Sequence, residues 1–118
     1  MSEQLPDINQ GISKPDLFEK FKLQLQKDFE TCGVNGEFSI LLAPNYDSIH
    51  ATLVRELSLI SKSSNSKINE LLYRIDISEQ QLKKLSKLKP TEDLNSIMAE
   101  LIIKRILQKI VYKEYFKS

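Results

Sequence analysis

Tryptophan is absent from this 118-residue chain, and it holds one cysteine, one histidine, three glycines and four prolines. A lone cysteine, Cys32, excludes an intramolecular disulfide and gives no sign of an oxidising compartment. So few glycines and prolines cannot supply the turns of an all-β domain, or a collagen-like or low-complexity segment. One histidine and one cysteine fall short of the three or four ligands of a zinc-type site. No metal and no cofactor is therefore expected. Long apolar runs are missing too. The longest is Ile40 to Ala43, against the ~20 residues that span a bilayer. Residues 1–13 have neither a basic start nor an apolar run, so no secretory signal is read there, and a cytoplasmic location without membrane partners is the expectation.

What the chain does have is leucine and isoleucine, 17 and 13 residues, enough to build a core and to exclude wholesale disorder. The length suits one domain. Charge is nearly balanced at +1, but unevenly spread: residues 1–78 hold eight basic and eleven acidic side chains, residues 79–118 nine and five. That asymmetry is mild, and a sequence pI near 7.8 lies below the basic range of a dedicated nucleic-acid domain.

The spacing of apolar residues predicts an all-α domain. Residues 1–12 are polar, with Pro6 and Gly11, and read as a mobile arm ahead of a domain over 13–118. Leu17, Phe18, Phe21, Leu25, Phe29 and Cys32 recur at three- and four-residue steps, which predicts a helix over 14–32, with Pro15 in its first turn and Gly33 closing it. Ile49, Leu53, Val54, Leu57 and Ile60 predict a second helix over 46–62 with Asn45 as cap. Between them, Phe38, Ile40 and Leu42 alternate in a strand-like way over 37–42. A lone strand leaves its backbone unpaired, so a packed connector is the preferred reading.

Residues 66–88 admit two readings. Ile68, Ile75 and Leu82 are seven apart, and Leu71, Ser78 and Leu85 follow in step, which favours one continuous helix. Against this, Asp76-Ile77-Ser78 are poor helix formers, and Ser78 with Gln81 can form a capping box that starts a new one. Lys89-Pro90-Thr91 marks a boundary, and Thr91 with Glu92 and Asp93 predicts a last helix over 91–116. Short connections between four such helices favour a bundle, most simply with up-down topology.

The last helix changes face. Leu94, Ile97, Met98 and Leu101 lie within about 100° of one another, whereas Ile103, Ile106, Leu107, Ile110 and Val111 project from the opposite side. One straight helix on one flat surface cannot bury both sets. The helix must be embedded centrally, kinked, or packed in its second half on something else, and a second copy of the chain is the candidate. Ile103, Ile106, Leu107, Ile110 and Val111 are thus the expected dimer interface, and a non-enzymatic interaction module that associates with itself or with another protein is the expected function.

Catalytic signatures are missing: there is no phosphate loop, no dinucleotide fingerprint, no HExxH and no GxSxG. His50 and Asp47 share a helical face, and Glu70 and Arg74 are spaced for a surface ion pair. Cys32 sits at a helix C-terminus, where the dipole opposes a thiolate. The second functional expectation is a nucleic-acid-binding module using Lys83, Lys84, Lys87, Lys104, Arg105 and Lys109.

Overall fold

The computed structural model describes residues 14–115, with side chains to 113; the arm expected over 1–12 lies outside the described residues. Among the described residues five α-helices follow one another: α1 (Pro15–Thr31), α2 (Tyr46–Ser63), α3 (Asn65–Ile75), α4 (Glu79–Leu88) and α5 (Leu94–Tyr115). A 3-10 turn, Glu37–Leu41, joins α1 to α2, and no strand occurs among the described residues.

Helix α1 stops at a glycine for a conformational reason. Gly33 takes φ +78°, and the amides of Gly33 and Val34 return to the carbonyls of Glu30 and Phe29, the paired bonds of a Schellman end. Three residues on, a Cβ at Gly36 would lie 2.8 Å from the Gln26 carbonyl oxygen, so only glycine lets the chain lie this close to α1. The extended reading of 37–42 is corrected here. Burial follows a step of three, Ser39 and Leu42 in, Ile40 and Leu41 out, which is the 3-10 period. Phe38 meets Phe29 edge to face at 5.0 Å and fastens the turn to α1.

Asn45 caps α2 as expected, accepting from the Ser48 amide. The continuous helix expected over 66–88 is not formed. Asp76 adopts φ 76°, the amides of Asp76 and Ile77 close onto Tyr73 and Leu72, and the buried side chain of Ile77 follows the turn. Ser78 and Gln81 then exchange both hydrogen bonds of a capping box and start α4. The last helix begins at Leu94 rather than 91, because the Asp93 carboxylate, not Thr91, accepts from the Ser96 amide.

Helix α5 is the centre of the molecule. It is in contact with α1, α2, α3 and α4, whereas the Cα traces of α1 and α2 nowhere come within 8 Å of each other. Polar contacts mark which half meets which neighbour. His50 of α2 reaches Ser96 near the start of α5, while Gln24 and Asp28 of α1 reach Lys113 and Lys109 near its end, in antiparallel sense. This arrangement accounts for the change of face: Ile97 and Met98 are buried in one half, and Ile103, Ile106, Leu107, Ile110 and Val111 in the other, all at 0–4% exposure. Helix α5 is the embedded helix of the three alternatives, and its second half is covered by the chain itself.

Truncating Ile106 to Ala in this close-packed setting is expected to cost about 2–5 kcal/mol. Chemical denaturation of Ile106→Ala measures it; an unchanged midpoint would contradict a central α5.

Candidate interaction surface

The five residues expected to form a dimer interface have no surface to offer. Ile103, Ile106, Leu107, Ile110 and Val111 all belong to the core cluster. The change of face that suggested a partner is satisfied within one chain.

The six basic residues divide evenly. On α5, Lys104 pairs with Glu100 at 3.0 Å, Arg105 with Asp76 at 3.0 Å, and Lys109 with Asp28 at 3.5 Å. Their charges are answered internally. On α4, Lys83, Lys84 and Lys87 are exposed and make no ion pair or side-chain hydrogen bond among the described residues. The structure thus separates residues that the sequence placed in one basic set.

Buried carboxylates, Asp28 and Glu100, explain two of these three pairings. Asp28 is fully buried on α1, held by Arg74 Nε at 3.2 Å and Gln24 Nε2 at 3.0 Å on Oδ1, with Lys109 facing Oδ2. Glu70, expected to pair with Arg74, instead faces Lys67 at 3.7 Å, because Arg74 turns inward to Asp28. A buried carboxylate with one partner removed costs far more than a surface pair contributes, so Arg74 goes where the desolvated charge is. The sequence carried a sign of this: Asp28 lies three residues after Leu25 and four before Cys32, inside the apolar stripe of α1.

Glu100 is the second. Burial alone would raise its carboxyl, but hydrogen bonds from Lys89, at 2.7 Å, and Lys104 outweigh it and hold the group below the usual carboxylate range. The same hydrogen bond raises Lys89. This pair ties the α4–α5 connection to the body of α5.

The remaining polar candidates are structural. His50 Nε2 lies 3.0 Å from the Ser96 carbonyl, which can only accept, so Nε2 carries the hydrogen. Tyr46 stacks at 5.6 Å from the His50 ring, and burial, aided by Glu100, Asp47 and Glu92, pushes its hydroxyl up to about 12. Asp47 is exposed and makes no hydrogen bond to His50. Burial also pushes the Cys32 thiol up, with Glu70 acting the same way, so the thiolate is disfavoured. Lys67 Nζ donates to the Cys32 carbonyl and covers the negative end of α1. No group of three or more metal-ligating side chains occurs among the described residues. Among them, no helix is long and apolar enough to cross a membrane.

The outer side of α4 carries three exposed lysines without an ion pair among the described residues. Only α5 among the described helices comes within 8 Å of this helix between Cα atoms, and none of its residues is fully buried. Leu82, Leu85 and Ser86 face inward. Gln80, Lys83, Lys84, Lys87 and Leu88 line a shallow depression on the other side. No protein family matches the sequence, and neither a curated protein nor a solved structure matches it.

Glu100 gives a pH signature. Its carboxyl is depressed in the folded state, so its contribution is present above the ordinary carboxylate range and is lost as pH falls through the folded value. The stability difference between wild type and Glu100→Gln, from urea midpoints, should therefore hold steady from neutral pH to about pH 5 and shrink below that, as pH falls through the ordinary carboxylate range toward the folded value. A difference that stays constant or grows on further acidification contradicts the pairing.

Proposed function

We propose that this protein is a small helical protein–protein interaction module whose contact surface is the outer face of α4. The observation that carries this reading is that only α5 among the described helices approaches α4 within 8 Å between Cα atoms, while its outward lysines make no ion pair or side-chain hydrogen bond among the described residues. A helix of ten residues is marginal in water on its own. Here a capping box and the inward leucines Leu82 and Leu85 hold it in place, so it is presented to solvent ready-formed. A partner that docks on it gains from contacts without ordering the helix first.

An enzymatic reading draws no support from the geometry. Two surface depressions are each lined by a single helix, α1 or α4, and the buried carboxylates Asp28 and Glu100 are both committed to ion pairs.

Site-specific photo-crosslinking in the protein's own cells tests the proposal. A benzoylphenylalanine in place of Lys84 should give discrete adducts, and one in place of the exposed Ala51 on α2 should not. No adduct from position 84, or equal yields from both, overturns it.

A further inference from the structure

Resting on that reading, we infer that the partner of α4 presents an acidic, amphipathic segment, with carboxylates in helical register beside an apolar residue. At 100° per residue, Gln80, Lys83, Lys84 and Lys87 fall within about 100° of arc, so the three ammonium groups form one outward stripe. Nothing in the described chain neutralises them, although Lys89, Lys104, Arg105 and Lys109 close by in sequence are all paired. A stripe at i, i+1 and i+4 is met best by carboxylates repeating at similar spacing.

The stripe ends in apolar surface. Leu88 is 71% exposed, and Leu94, across the 89–93 connection, is 57% exposed. Positive charge running into leucine fits a partner with both carboxylate and apolar side chains. It fits a nucleic acid poorly. A phosphate backbone offers leucine nothing, and only three of the six cations weighed for such a role remain unpaired. A helix-turn-helix is disfavoured as well, since α3 and α4 nowhere approach within 8 Å between Cα atoms. A second copy of this chain docking two-fold on α4 would set lysine against lysine, which repels. Charge complementarity therefore selects an acidic segment of another protein.

The test is fluorescence anisotropy of the full chain against a labelled synthetic helical peptide with glutamates at i, i+3, i+4 and i+7 followed by leucine. Binding should weaken with added salt and fall about tenfold or more in the Lys83→Glu, Lys84→Glu, Lys87→Glu triple variant. Leu88→Ser should weaken it too, with an unchanged salt dependence. Circular dichroism confirms that each variant keeps its helices. Several outcomes overturn the inference: no peptide binding, equal binding by the triple variant, or salt-dependent binding of duplex DNA or RNA in preference to the peptide. Light scattering that shows a dimer abolished by the same substitutions also overturns it. Adducts at position 84 that map to such other partners leave the interaction module standing and remove only its acidic partner.

Discussion

The enclosure of α5 is the constraint on which the rest of the structure depends. A helix with isoleucine, leucine and methionine on opposite sides of its two halves exposes apolar surface however it is laid on a single neighbour. Placing it between α1 and α2, whose Cα traces nowhere come within 8 Å of each other, takes apolar residues of both halves out of water at once. At about 25 cal/mol per Å² of buried apolar surface, each isoleucine so covered contributes roughly 1.5–3 kcal/mol. No surface arrangement of the other helices competes with that. The ordering of the outer helices, including the separation of α1 from α2, follows from where α5 must lie.

The carboxylates that enter this core do so in company. Asp28 meets Arg74, Gln24 and Lys109, and thereby joins α1, α3 and α5 at one point. Arg105 and Asp76 add a second tie between α5 and the turn after α3. Glu100 with Lys89 and Lys104 does the same for the connection after α4. These pairs favour the native arrangement over alternatives that leave a buried charge alone, more than they add net stability. They also engage Lys104, Arg105 and Lys109, so that of the six basic residues singled out only the three on α4 lack an ion pair among the described residues.

The stripes of α1 and α2 were legible in the sequence because each of these helices buries one face, which is what a three-to-four-residue repeat encodes. The same repeat misled over 66–88. Residues Ile68, Ile75 and Leu82 keep a seven-residue step because α3 and α4 both turn toward α5, not because the helix is continuous. The local chemistry of Asp76 and Ser78 was the better guide there. The alternation of Phe38, Ile40 and Leu42 raised a strand only as the lesser reading beside a packed connector, and the connector is what forms: hydrophobicity alternated, but burial followed Ser39 and Leu42. The change of face in α5 was read correctly as a pattern, with the central helix among its explanations. Which explanation holds depends on tertiary placement, which one-dimensional spacing does not carry. Of the six basic residues singled out, only Lys83, Lys84 and Lys87 remain at a candidate surface, since the acids that claim the others are distant in sequence or, as with Glu100, buried by the fold.

The division between a fully enclosed α5 and a lightly held α4 is an energetic one, and it is where fold and proposed function meet. Amide hydrogen exchange resolved by residue tests it most directly. If α5 is enclosed by its own chain, the amides of Ile102 to Val111 exchange only on global unfolding, at a rate independent of protein concentration, while those of α4 exchange through a smaller local opening. Protection of Ile102 to Val111 that is weak in dilute solution and rises with concentration would mean that a second copy supplies the cover, and would contradict the account.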